Sequence, residues 1–203
     1  KILSPFKIES LVLQYTDDIC KSVKKYTYKE ELDFLTSNEN RNIFVKNLAL
    51  TLKGNSLILF SLVKHGNDLY KLIKESCDDN RKVFFIYGGT ATEQREQFRG
   101  ITEQSENAII VASYGVYSTG VNIRKLHNIV FASPSKSRIR NLQSIGRGLR
   151  KSESKEIATL YDISDDLTWK KRTNYTLNHL KDRIQLYNEE NFPYKIRNIN
   201  FKG

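Results

Sequence analysis

Five short apolar runs punctuate the middle of the chain: Leu57–Leu62, Val83–Tyr87, Ala108–Ala112, Asn128–Ala132 and Ile157–Tyr161. Each is nearly continuous rather than alternating, as expected of strands buried on both faces of a sheet. Between them lie segments with helical spacing, at Asp68–Glu75, Thr92–Gln104 and Ser137–Lys151. Strands alternating with helices call for right-handed crossovers and a parallel sheet, so the pattern predicts a doubly wound α/β core over residues 55–165. An extended piece at Ile8–Gln14 and short helices at Asp17–Lys25, Tyr28–Leu35 and Asn40–Leu52 make up an entry region, residues 1–54. Beyond the core, Asn174–Glu190 reads as an amphipathic helix in a C-terminal extension, residues 166–203.

Composition adds limits to this pattern. The 203 residues are 39% hydrophobic and 11% aromatic, which places the chain among folded globular proteins. The longest apolar stretch, Leu57–Val63, is far too short to span a bilayer, and Lys1–Ser10 lacks the apolar core of a signal peptide. A cytoplasmic protein without membrane partners is expected. Cys20 and Cys77 stand alone, with no Cys or His at metal-ligand spacing, and are read as reduced thiols. The absence of any Met suggests a piece of a longer protein. Residues 107–203 carry +9 of the net charge of +10. A basic half beside a neutral one points to an anionic partner, with nucleic acid first.

Ligands of open parallel sheets bind beyond the carboxyl ends of the strands, so the segments after each run are the places to search. After the second run, Gly88 and Gly89 precede Thr90 and Glu93, a capping-box pattern at a helix start that could seat a phosphate. After the third, the loop Ser113–Ile123 offers hydroxyls and the glycines Gly115 and Gly120. After the fourth, Ile139, Leu142, Ile145 and Leu149 form one helical stripe while Gln143, Arg147 and Arg150 form another. Paired arginines with no acid at i±4 suit bidentate phosphate binding, against the plainer alternative of a solvated basic face. Gly146 and Gly148 each cost about 1 kcal/mol inside a helix, which makes sense where another backbone or a ligand comes close. The three histidines, His65, His127 and His179, form no constellation in sequence. No complete phosphate loop is present, and Gly148-Leu149-Arg150-Lys151-Ser152 is only a near miss. Lys151 takes the third glycine position of a dinucleotide fingerprint, which excludes that reading too.

Gln143-x-x-Gly146-Arg147-x-x-Arg150 resembles motif VI of superfamily 2 helicases. Asn55–Phe60 resembles motif IV of that superfamily, Tyr87–Thr90 the motif that follows it, and Ala112–Ile123 motif V, all in the right order. The flanks Ser113–Gly120 and Asp182–Gln185 are similar to those of phage recombination and repair helicases. The resemblance implies a second RecA-like domain, the C-terminal motor half of an ATP-dependent DNA helicase or translocase. It implies that Arg150 is an arginine finger, that Arg147 contacts phosphate or couples the domains, and that Gln143 helps order the attacking water. Gly120 and Asn122 would border ATP, although many relatives have Asp at the latter position. Gly88, Gly89, Thr90 and Ser113 would hold the DNA backbone without reading sequence. ATP and Mg²⁺ would be bound mainly by a separate N-terminal RecA-like domain, so this piece alone is expected to be inactive. The competing class is a non-catalytic α/β module that binds nucleic acid or protein, and an upstream phosphate loop with an acidic metal-binding motif would decide against it.

Overall fold

The computed structural model describes residues 6–118, 125–150 and 157–203, and the backbone alone for residues 6, 117–118 and 148–150. Seven strands form one sheet: β1 (Phe6–Gln14), β2 (Ser56–Phe60), β3 (Val83–Ile86), β4 (Ile109–Ser113), β5 (Asn128–Phe131), β6 (Ala158–Asp166) and β7 (Tyr194–Asn200). Their order is β3-β4-β2-β5-β6-β1-β7, and every pairing is parallel. Helices α1 (Asp17–Ser22), α2 (Tyr28–Ser37), α3 (Glu39–Thr51) and α4 (Val63–Ser76) come before β3. Helices α5 (Thr92–Glu103), α6 (Tyr114–Ser118), α7 (Arg138–Arg150) and α8 (Tyr175–Glu189) follow it.

The central strands are buried on both faces, which is why their sequences are continuous apolar runs. One face sends Leu57, Leu59 and Phe131 against Leu142 and Ile145 of α7. The other sends Ile58, Phe60 and Val130 against Val45 of α3 and Leu69 of α4. The sheet continues through both flanks, because the extended piece Ile8–Gln14 lies within β1, which pairs β6 on one side and β7 on the other. β7 escaped the pattern search because it is an edge strand: Lys195, Ile196 and Arg197 are all exposed, so no apolar run marks it.

β6 runs five residues past the expected end at Tyr161. Its extra stretch carries Asp162 and Asp165, both fully buried, which interrupt the apolar run. Buried arginines neutralise them. Arg41 of α3 makes two bonds to Asp165, Nε to Oδ1 at 2.9 Å and Nη2 to Oδ2 at 3.0 Å, and the Tyr15 hydroxyl donates to Oδ1 at 2.7 Å. At the opposite, amino edge, the Asn55 amide ties three loops together. Its Nδ2 donates to the carbonyls of Thr102, Ser105 and Lys125, and its Oδ1 accepts from Ala108 N at 2.8 Å.

Candidate functional site

The carboxyl edge of the sheet carries Gly88, Gly89, Thr90 and Ser113. Residues Tyr87–Thr90 form a tight turn in which Thr90 N donates to Tyr87 O at 3.0 Å and Thr90 Oγ1 accepts from Tyr87 N at 3.1 Å. Arg95 Nη2 braces the turn by donating to Gly88 O at 2.8 Å. The expected capping box of Thr90 with Glu93 does not form. Helix α5 starts at Thr92, Ala91 is its N-cap without a side-chain bond, and the Thr90 hydroxyl is engaged in the turn instead. The two glycines differ in what they allow. A Cβ on Gly89 would lie 2.6 Å from the tip of the exposed Tyr87 ring, which would have to swing aside. A Cβ on Gly88 would meet nothing within 4 Å, and crowding inside the chain does not account for it. Ser113 ends β4, half-buried, and its Oγ accepts from Val116 N at 3.4 Å. Gly120 and Asn122 lie outside the described residues.

Helix α7 bears the expected two stripes over its described side chains: Leu142 and Ile145 are fully buried with Ile139 packed beside them, whereas Gln143 and Arg147 are exposed one turn apart; the Leu149 side chain lies outside the described ones. The side chain of Arg150, the last residue of α7, is among those not described. Gln143, Gly146 and Arg147 border a cleft of about 270 Å³ with Glu190 and Phe192, from the connection between α8 and β7. Arg147 Nη2 reaches Ser144 Oγ at 3.4 Å and makes no ion pair among the described residues. Its position along the sheet differs from the one sought at the carboxyl ends. α7 is the crossover from the end of β5 to the start of β6, and Arg147 lies nine residues into it, roughly 13 Å along the axis. Gln143 and Arg147 therefore approach the amino edge, opposite Gly88–Thr90 and Ser113.

A buried cluster sets the position of α7. Arg138, its first residue, is 1% exposed and donates from Nη1 to Asp162 Oδ1 at 2.7 Å. Further bonds run from Arg138 to the carbonyls of Phe131, Ser133 and Ile163 at the ends of β5 and β6. Arg183 of α8 donates from Nε to Asp162 Oδ2 at 2.8 Å, and the Tyr187 hydroxyl donates to the same oxygen. Burial pushes the Asp162 carboxyl up, but Arg183 and Arg138 outweigh it and hold the group below the usual carboxylate range. No motif announces this cluster, although acids inside an otherwise apolar strand were its one signal. A second missed element is His65, whose Nε2 meets Asn42 Oδ1 at 2.8 Å and whose Nδ1 meets Ser133 Oγ at 2.6 Å. Asn42 Oδ1 can only accept, so Nε2 carries the proton and Nδ1 accepts from the serine. Burial, with Arg41 next, drops its pKa to about 3.

A parallel α/β sheet whose β5–β6 crossover helix bears Gln143, Gly146 and Arg147 keeps the order of the helicase motifs, and the chain belongs to the helicases: the helicase conserved C-terminal domain matches residues 39–152. Within that family the chain is similar to the ATP-dependent DNA helicase uvsW of Enterobacteria phage T4, with 38% identity over 211 residues, covering 98% of this chain and 41% of that protein. The crystal structure of T4 UvsW superposes with a TM-score of 0.85 at 40% identity, over 97% of this chain and 42% of the other. The C-terminal domain of the DEAD-box protein Dbp5 shares the fold, with a TM-score of 0.62 at 12% identity, covering 95% and 91% of the two chains. The chain thus spans about 41% of the length of its curated relative. Among the described residues no helix is long and apolar enough to cross a membrane.

Proposed function

We propose that this chain is the second motor domain of an ATP-driven DNA helicase or translocase that unwinds DNA or migrates branches in recombination and repair. The observation that carries the reading is the single exposed stripe of Gln143 and Arg147 on a helix whose other stripe is buried and whose first turn is fastened to β6 through Arg138 and Asp162. A guanidinium held this way, bordering an open cleft without a carboxylate partner among the described residues, suits phosphate. In the assembled motor an N-terminal RecA-like domain of the same protein binds ATP and Mg²⁺, which supply the phosphoryl group and offset its charge. Arg150 and Arg147 stabilise the charge that develops on the transferred oxygens, and Gln143 orients the attacking water. Gly120 and Asn122 border the nucleotide. Gly88, Gly89, Thr90 and Ser113 contact DNA phosphates through backbone N–H groups and hydroxyls, which carry no sequence information.

Opposite edges of one rigid sheet make the coupling simple. Closure against the partner domain at the α7 side moves the whole domain, and with it the DNA contacts at the carboxyl edge. The chain carries no phosphate loop, so its own ATP turnover is expected to be negligible. In the complete protein, Arg147→Ala and Arg150→Ala should each cut DNA-stimulated ATP turnover by about 10³ while DNA affinity and melting temperature hold. Arg150→Lys should restore little, since a point charge does not reproduce the planar fork. Wild-type turnover in both alanine variants would return the stripe to a solvated basic face.

A further inference from the structure

Three cations and three rings lie together at the carboxyl ends of β5 and β6, outside every motif described above. Lys136 Nζ lies 5.0 Å from the centre of the Tyr28 ring, and Tyr28 meets Tyr175 edge-on at 5.9 Å. Arg172 sits over Tyr175 at 5.7 Å and forms a two-residue turn with Trp169, their backbones exchanging bonds of 2.9 and 3.0 Å. Lys170, at the tip of that turn, lies 5.8 Å from the Trp169 ring. It adopts φ +52°, a left-handed conformation costly for a lysine, which the closed turn enforces. Lys171 beside it is exposed, as are Lys136 and Lys170. Three elements distant in sequence supply the group: the starts of α2 and α7 and the loop between β6 and α8.

What holds these cations is informative. None of Lys136, Lys170, Lys171 and Arg172 pairs with a carboxylate among the described residues. An aromatic face orients a cation without cancelling its charge, whereas a carboxylate partner would have to be displaced by any incoming anion. Beside the group, a cleft of about 370 Å³ is lined by Lys136, Arg138 and Arg183, with Asp182 as its single acid and His179 between. Burial holds the His179 pKa below its usual range, with Lys136 and Arg183 adding to it against Asp182 and Glu31.

We propose that this group is a second DNA-backbone contact that takes the phosphates of a strand extending from the grip at Gly88–Thr90 and Ser113. The proposal rests on the DNA-motor reading and lengthens its binding site. From β3 to β6 there are four strand spacings, roughly 19 Å. That equals about six nucleotides along one strand at B-form rise, so one DNA strand laid over the carboxyl edge reaches both places.

The test is fluorescence anisotropy of labelled oligothymidine binding to the protein across a salt series. Lys136→Ala/Lys170→Ala/Lys171→Ala removes three of the cations and spares half-buried Arg172. Three lost phosphate contacts on a single strand lower the slope of log K against log salt by about 2, and weaken binding about 10²-fold at 0.1 M salt. The melting temperature should stay unchanged. A charge-matched control, Lys53→Ala/Lys71→Ala/Lys74→Ala, lies off this edge and should change the slope by much less. Equal losses in the two triple variants would overturn the proposal, since net charge alone would then explain the effect. So would an unchanged slope in the Lys136/Lys170/Lys171 variant while the wild type binds, an outcome that leaves the motor reading standing and turns this surface over to a protein partner. A wild-type protein that binds no DNA would overturn the motor reading, and this proposal with it.

Discussion

Replacing Asp162 by Asn tests the cluster that fixes the motor helix. The carboxylate is fully buried and receives bonds from Arg138, Arg183 and Tyr187, so the substitution leaves two guanidinium groups in the core with no anion. Breaking a buried pair from one side costs about 3–5 kcal/mol, because the remaining charge stays desolvated. With an unfolding entropy of about 2.1 cal/mol/K per residue, 203 residues make roughly 0.43 kcal/mol/K, so the melting temperature should fall by about 7–12 °C. Thermal unfolding followed by circular dichroism at neutral pH measures this directly. A cycle with Arg183→Met sharpens it, since removing one stranded cation should give the double variant more stability than the sum of the two single losses allows. The pH dependence has a definite sign. The folded pKa of Asp162 lies below the unfolded one, so its contribution is complete above the unfolded carboxylate range and is lost as the pH falls through the folded value. A loss under about 1 kcal/mol, or an additive cycle, would refute the view that this carboxylate compensates both arginines.

Two other buried groups yield predictions of their own. His65 is neutral when folded, with a pKa near 3, so the unfolded chain binds its proton first and stability falls as pH drops below the ordinary value of 6.5. By about pH 5.5 this group alone should cost about 1.4 kcal/mol, and His65→Asn should flatten that part of the pH profile in urea titrations. Asn55→Ala should cost about 2–3 kcal/mol by urea unfolding, because Ala108 N and three loop carbonyls lose their partner. DNA affinity unaffected by that change, once stability is allowed for, would separate this structural residue of the motif IV-like segment from the residues proposed to grip DNA.

Much of the core was legible in the chain because its causes are local. Burial on both faces made β2, β3, β4 and β5 continuous apolar runs, and the stripe of Ile139, Leu142 and Ile145 marked the buried side of α7 at 3.6-residue spacing. The grouping proposed for phosphate was legible for a related reason: Gln143, Gly146, Arg147 and Arg150 lie within eight positions of one helix, so it survives in the linear sequence. What depended on distant partners did not show. β6 continues through Asp162 and Asp165 only because Arg138, Arg183 and Arg41 arrive from other helices to neutralise them. β7 pairs with the open edge of β1, and its exposed Lys195–Arg197 left no buried apolar run to mark it. The Thr90 hydroxyl could serve a helix cap or a turn, and the placement of α5 one residue later decided for the turn. Likewise Lys136, Tyr28, Tyr175 and Arg172 are scattered between positions 28 and 175 and form one surface only where the ends of three elements meet. Periodicity records which way a residue faces. Which residue it faces is set when the chain closes its long loops, and that is written in the tertiary structure alone.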